Sequence, residues 1–391
     1  MVEEKNKIPF YCSFIRLFEK QMRGSFLYLY LVIIIGLLSL TQFNIPYLKI
    51  VKVGVLLIPL IWVLFVKIPK FTLITKLVGL FALWALVVTL LNLNIVVFGY
   101  FTTFFSGLIF IFFILPNEIK NKECVYNLLF WILVICGVFI FTSLLFGILR
   151  FPFAIGSKEG VSYIRGIFVN PNPFGTISAF VIFLSLILIN RRFNWGYIGL
   201  IILGAFGVIT SFYRSVWIAM IIGMLFFILR KNKKIFWGIL MLFILLLALV
   251  PYQYNPLELT KDRRVWIWKE GLELVKKNPF GNGLGNELAN QWSIGLIGSK
   301  VFQTANMVVS GYIDILIELG IIGLILFSFI VGVILCKKSN GEFYDTLYTF
   351  FMVYLIIAIS DSLFLFPTGT FFFFFWLIIM LLDKYSSFNK D

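Results

Sequence analysis

The sequence predicts an all-α polytopic membrane protein: about twelve transmembrane helices, with a large helical extracytoplasmic loop between helices 9 and 10. Three observations predict it. The chain is 61% hydrophobic, with a mean hydropathy of +1.01. Charged residues make up 13% of its 391 residues, about half the share of a soluble domain. Apolar runs recur at lengths close to the ~20 residues that a helix needs to cross a bilayer.

Taken in order, residues 1–24 are polar and basic (Glu3, Glu4, Lys5, Lys7, Arg16, Lys20, Arg23) with no small-residue cleavage site, and read as a cytoplasmic tail. Spans follow at 25–43, 48–66, 72–92, 95–115, 126–149, 172–190, 195–211, 213–230, 234–250, 307–335, 344–366 and 369–382. The first five, residues 25–149, have short loops and few polar residues and read as scaffold. Residues 150–335 hold the chemistry-bearing part, with two long loops at 150–173 and 251–306. Residues 336–391 supply helices 11 and 12 and a cytoplasmic tail.

Charge sets the orientation. With the N-terminus inside, the inner segments hold 19 of the 33 Lys and Arg residues, and the outer side holds 13. Short loops decide topology and long ones are largely exempt, so both termini are expected in the cytoplasm of an inner (cytoplasmic) membrane. The net charge of +15 is then mostly a topological signal, and nucleic acid is discounted as a partner. The outer cations still need a reason, because they concentrate in the two long loops.

Other counts narrow the chemistry. Histidine is absent, which removes histidine general bases, Ser-His triads and His-ligated metals. Cys12, Cys124 and Cys336 fall on the inner side and Cys136 within a span, so no disulfide is predicted, and their spacing matches no metal motif. Aromatic residues are 19% of the chain, mostly Phe, and read as lipid-facing bulk and interfacial belts.

The first long loop reads Ser157-Lys158-Glu159-Gly160, then Arg165-Gly166-Ile167-Phe168-Val169-Asn170-Pro171-Asn172-Pro173-Phe174-Gly175. Prolines alternating with asparagines force an extended lead into the next helix, and Pro173 suits a first helical turn. In the second loop, Val265, Trp268, Leu272 and Val275 recur at helical spacing over 261–277 and predict a helix, either interfacial or resting on the protein as a lid. Asn278-Pro279 stops it. The turn-rich stretch Phe280-Gly281-Asn282-Gly283-Leu284-Gly285-Asn286 follows. It lacks the Lys-Ser/Thr of a phosphate-binding loop, so it is not a nucleotide site.

Certain residues could carry chemistry. Arg214 sits among hydroxyls at a span junction, Thr210-Ser211-Phe212-Tyr213-Arg214-Ser215, an anion-binding environment. Arg263 and Arg264 open the predicted lid helix, and Arg165 precedes a glycine. A planar guanidinium suits phosphate because it bonds two oxygens at once. Asp314 and Glu318 lie at i and i+4 on one helical face near Tyr312, and ionisable groups within a span point to function. Asp361, between Ser360 and Ser362, is a further candidate.

These segments in this order resemble the O-antigen ligase and polysaccharide polymerase (Wzy-like) family of polytopic membrane glycosyltransferases. Arg165 to Gly175 resembles its Arg…Gly-x-Phe-x-Asn-Pro-Asn segment. Thr210 to Ala219 resembles its Ser-Arg span start. Arg264-x-x-x-Trp268 through Pro279 to Gly285 resembles the Arg-Trp helix and Pro-x-x-Gly-x-Gly of its large loop. Tyr312-x-x-x-Leu316-x-Glu318-Leu319-Gly320-Ile321-Ile322-Gly323 resembles the span after that loop. The resemblance covers about residues 160–335. One departure is that Val309-Ser310 stands where the ligases place a His followed by Asn, which favours the polymerase branch.

The resemblance implies transfer of a glycan from a polyprenyl-diphosphate donor to a hydroxyl of a lipid-linked repeat unit, on the extracytoplasmic face. No cofactor, metal or nucleotide sugar is implied. Arg165, Arg214 and Arg264 would stabilise the diphosphate leaving group, and Asp314 or Glu318 would deprotonate the acceptor. Arg263, Asn170, Asn172, Tyr213, Trp268 and Tyr312 are the expected substrate-binding residues. Expected partners are the polyprenyl-diphosphate-linked oligosaccharide, membrane lipid, a chain-length regulator and a flippase. Two alternatives stand beside this reading. One is a ligase that attaches polymer to another acceptor. The other is a flippase or transporter, a class marked by internal repeats and interrupted helices, although residues 1–195 and 196–391 show no pseudo-repeat.

Overall fold

A computed structural model describes residue 30 and residues 46–119, 121–158, 161–168, 171–231, 263–285, 310–337, 341–361, 364–365 and 370–388. The predicted spans at 25–43 (apart from Tyr30) and 234–250, Asn170, and the side chains of Arg263 and Arg264 lie outside the described residues, as do 251–262 and 286–306 of the large loop and 307–309 of the next span. The described chain is mostly helical. The helices are α1 (Pro46–Trp62), α2 (Leu73–Leu91), α3 (Ile95–Ile109), α4 (Lys122–Ile148), α5 (Pro171–Ile189), α6 (Trp195–Thr210), α7 (Arg214–Lys231), α8 (Arg263–Lys277), α9 (Gly311–Cys336), α10 (Glu342–Ile357) and α11 (Thr370–Phe388). Among the described residues, five apolar stretches are long enough to cross a membrane: Leu73–Leu91, Val97–Glu118, Lys122–Ile148, Pro171–Ile189 and Gly311–Cys336.

Local chemistry explains several boundaries. Thr72, Asn121 and Asn194 cap α2, α4 and α6 by accepting from the amides of Thr75, Cys124 and Gly196 at 3.1, 2.9 and 2.8 Å. α3 widens into a π turn at Phe110–Ile114 before a last turn at Leu115–Glu118. Pro116 follows the widening, and a proline inside a helix clashes with the carbonyl one turn back, so the wider turn relieves it. Both Pro171 and Pro173 sit in the first turn of α5, where their missing N–H groups cost nothing.

α5 is the central post: from Phe174 to Leu188 nearly every side chain is buried. α6 lies against it because Gly204 and Gly207 leave no side chain between the two helices. A Cβ on Gly204 would fall 2.8 Å from the Ser178 carbonyl, and one on Gly207 would fall 2.3 Å from the Ser178 hydroxyl oxygen. Small residues at such contacts let membrane helices approach closely. α10 and α11 pack on the same post. Phe180 meets Phe350 edge-on at 4.7 Å and Phe374 at 4.9 Å. Phe327, Phe364, Phe375 and Trp376 extend this aromatic core. The expectation that Phe serves chiefly as lipid-facing bulk is therefore corrected here: Phe372, Phe373, Phe374 and Phe375 of α11 are buried, because flat rings fill the gaps between helices.

Two further departures bear on the site. Residues Ile155–Lys158 and Val161–Ile164 pair as an antiparallel hairpin inside a stretch read as irregular loop. Four-residue strands give too short an alternation to stand out. The span expected over 344–366 ends as a helix at Ile357, and the chain turns through Ala358–Asp361.

Candidate functional site

The corner between α6 and α7 is a built structure. Phe212 adopts a left-handed backbone (φ 51°), which is uncommon for a bulky residue and marks a tight turn held from outside. Ser211 bonds the Val208 carbonyl at 2.8 Å and accepts from the Tyr213 amide at 3.3 Å. Trp217 donates its indole N–H to the same Val208 carbonyl at 2.9 Å and pins the corner from the α7 side. The turn buries Tyr213 and leaves Arg214 exposed on the first turn of α7. Arg214 makes no hydrogen bond or ion pair with the described residues.

Tyr213 ties this corner to the turn after α10. Its hydroxyl donates to Asp361 Oδ2 at 3.1 Å and lies 3.4 Å from Ser360 Oγ. The backbone carbonyls of Asp361 and Ala358 accept from the Gly311 amide at 2.9 and 2.8 Å, so this turn caps the N-terminus of α9. Tyr312 donates to the Leu355 carbonyl at 2.9 Å. One turn further, Asp314 and Glu318 are 3% and 2% exposed, buried on α9 at helical spacing.

Arg165 reaches the same end by a third route. Its Nε donates to the Phe153 carbonyl at 2.9 Å across the base of the hairpin. Gly166 (φ 62°) then lies on Ser143 of α4, and the Ile167 amide donates to Ser143 Oγ at 3.3 Å. Phe168 stacks on Phe174 of α5. Gly175 allows α5 to press on the corner: a Cβ there would fall 2.7 Å from Ser211 Oγ and 3.2 Å from Tyr213 Cβ. Asn172 is half-buried on the first turn of α5. The N-terminal ends of α5, α7 and α9 thus converge around Tyr213. Each helix start is the positive end of a helix dipole, worth roughly half an elementary charge.

α8 rests on the first half of α9 as a lid on protein. Val275 packs with Ile317, and Trp268, Ile313 and Leu316 close around them. Leu272, expected on the packing face, is 43% exposed instead. Where α8 ends, α9 is interrupted: Gly320 takes φ 69° and ψ −169°, outside the helical region. Leu319-Gly320-Ile321 reads as part of an apolar helix and carries no sign of this break. The loop after α8 fills it. The Asn282 amide donates to the Ile317 carbonyl at 3.0 Å and the Gly283 amide to the Glu318 carbonyl at 2.9 Å. The Ile321 amide donates to the Pro279 carbonyl at 2.9 Å. Trp84 of α2 donates to the Leu319 carbonyl at 2.7 Å. Irregular backbone inside a membrane helix persists only where protein satisfies it, and here it is satisfied from three sides.

The structure therefore gathers Arg165, Asn172, Tyr213, Arg214, Tyr312 and Asp314 toward one end of the bundle. Glu318 lies further along α9, beside the break. α8 carries Arg263 and Arg264 on its first turn. Asp361, a secondary candidate from sequence, proves to be the partner of Tyr213. Asn282 and Trp84 were not singled out, since an Asn between glycines and a Trp in an apolar span carry no distinctive signal. Among the described residues, no three His, Cys, Asp or Glu side chains gather in a way that could hold a metal ion.

This is a multi-pass helical membrane protein with a polar cluster where three helix starts meet. Residues 199–328, a third of the chain running from α6 to the middle of α9, match the O-antigen ligase family model. The matched segment holds Tyr213, Arg214, Arg264, Trp268, Asp314, Glu318 and the interrupted helix. Arg165 and Asp361 lie outside it. A comparison with curated proteins finds no match.

Proposed function

We propose that the protein is a polysaccharide polymerase of the cytoplasmic membrane. It transfers a glycan from polyprenyl diphosphate to a hydroxyl of a second lipid-linked repeat unit, on the extracytoplasmic face. The observation that carries this reading is the convergence of the α5, α7 and α9 helix starts around Tyr213, with Arg214 exposed at the same point. Fixed N–H dipoles and a guanidinium favour an anion of high charge density. A diphosphate gains charge as the glycosidic bond breaks. Groups already aimed at that charge stabilise the transition state more than the ground state. Arg165 and Arg264 complete the receptor in this reading, and Arg263, Asn170, Asn172, Trp268 and Tyr312 line the path of the sugars.

The transfer balances simply. The acceptor oxygen forms a bond to the anomeric carbon while the bond from that carbon to the diphosphate oxygen breaks. The acceptor proton goes to Asp314, buried near the start of α9, or to Glu318, buried one turn further along it. The diphosphate leaves as the anion held by the arginines.

The family match itself favours a second reading, a ligase with the same donor but a lipid, wall polymer or protein as acceptor. Product analysis separates the two. Deleting a polymerase removes long lipid-linked polymer, whereas deleting a ligase leaves that polymer made but unattached. A flippase would move lipid-linked sugar across vesicles without lengthening it. The interruption of α9 resembles a transporter device, but the protein's own loop occupies it.

A further inference from the structure

The break in α9 releases three carbonyls, those of Ile317, Glu318 and Leu319, next to one of the two buried carboxylates. Among the described residues that answer them, Asn282 is the one that also reaches back to α8. Asn278, the residue that ends α8, donates from Nδ2 to Asn282 Oδ1 at 3.1 Å and to the Gly281 carbonyl at 2.8 Å. Asn282 in turn donates from Nδ2 to the Ile317 carbonyl at 2.9 Å, in parallel with its backbone amide. The relay Asn278–Asn282–Ile317 therefore links the end of the arginine-bearing helix to the peptide unit just before Glu318. Gly281 (φ 100°) and Gly283 (φ 89°) let the loop lie flat on α9: a Cβ on Gly281 would fall 2.6 Å from the Glu318 carbonyl. Asn92 of α2 holds the far side of the same loop, bonding the Gly281 carbonyl at 3.3 Å.

We propose that Asn282 is a positioning residue for the transfer reaction: it fixes α8, with Arg263 and Arg264, to the half-helix that carries Asp314 and Glu318, so that the two keep one register. The inference rests on the polymerase reading above. The half-helix needs such a brace. A continuous helix is held by its own hydrogen bonds, but the segment Gly311–Leu319 is detached from Ile321–Cys336 at Gly320. Without the Asn282 side chain the break stays closed through the Asn282 and Gly283 backbone amides, so the fold survives. What is lost is the side-chain tie to α8. A shift of this kind, remote from the reacting atoms, acts on the rate rather than on ground-state binding.

The test uses the full-length protein in vesicles with purified lipid-linked repeat units, comparing wild type, Asn282→Ala, Asn282→Gln and Asn278→Ala. Asn282→Ala is expected to lower kcat by about tenfold or more while KM for the donor stays within about twofold, with thermal unfolding close to wild type. Asn282→Gln, which keeps the amide donor, recovers part of the loss. Asn278→Ala, which removes the first bond of the relay but leaves both Asn282 bonds to α9, shows a smaller drop of the same kind. It decides the question alone if Asn282→Ala does not fold. A wild-type kcat in Asn282→Ala, or in Asn278→Ala where that variant must decide, overturns the proposal, as does a loss confined to KM or one that tracks the amount of folded protein. If Arg214→Ala and Arg264→Ala are also fully active, the polymerase reading itself fails. If those two are inactive and Asn282→Ala is normal, only the brace fails.

Discussion

The Tyr213 hydroxyl donates to the Asp361 carboxylate at 3.1 Å, joining the α6–α7 corner to the turn that caps α9. One bond thus connects the turn before Arg214 to the helix that bears Asp314 and Glu318. A hydrogen bond to a charged group contributes about 1.5–3 kcal/mol. Tyr213→Phe is expected to lower the unfolding temperature of the purified protein modestly and its rate of polymer formation more strongly, because Arg214 follows directly in the chain. Equal effects on both would mean that the bond is purely structural. Asp361→Asn keeps the acceptor and the capping carbonyl, and should be milder than Asp361→Ala in the same two measurements.

Arg214→Ala and Arg264→Ala should nearly abolish polymer while the protein still inserts and accumulates. Lysine at either position keeps the charge but loses the planar fork, and should restore little. Polymer length and amount in cells carrying each variant, beside the membrane level of the protein, check this. Normal polymer in either alanine variant removes that arginine from the receptor.

Gly320→Ala should destabilise the protein. Its backbone (φ 69°, ψ −169°) lies in a region open essentially to glycine, which costs other residues about 1–3 kcal/mol. A Cβ there would also fall 2.4 Å from the Pro279 carbonyl. Thermal unfolding in detergent measures the effect, and an unchanged midpoint would mean that the break is not part of the native fold.

Trp84→Phe keeps the ring but removes the donor to the Leu319 carbonyl. A buried acceptor left without its partner costs about 1–3 kcal/mol. The variant should therefore unfold earlier than wild type. Leu80→Ala, on an exposed position of the same helix, should not.

The helices were legible wherever an apolar run had clear ends. The read spans at 72–92, 172–190 and 195–211 differ from α2, α5 and α6 by no more than one residue at either end. The lid helix was legible too, though its buried face is Trp268 and Val275 without Leu272. The break in α9 was not, because Leu319-Gly320-Ile321-Ile322-Gly323 reads as an apolar helix with tolerated glycines, and a positive φ leaves no mark in composition. The hairpin was hidden by its four-residue strands. Arg214 stood out because hydroxyls surround a cation at a span junction, and Asp314 and Glu318 because ionisable groups within a span are costly. Asp361 gained meaning only once the turn after Ile357 placed it against Tyr213. Asn282 could not be weighed without knowing that the chain bends back onto a broken helix.

In the proposed reaction, guanidinium groups and helix starts around Tyr213 receive the donor diphosphate. A structure of the full-length protein with polyprenyl-diphosphate-linked repeat unit bound in lipid nanodiscs tests it most directly. Phosphate density is expected within hydrogen-bond reach of Arg214 and the first turn of α7. Density for the headgroup elsewhere, with the Arg214 side chain extended into bulk water, would contradict it.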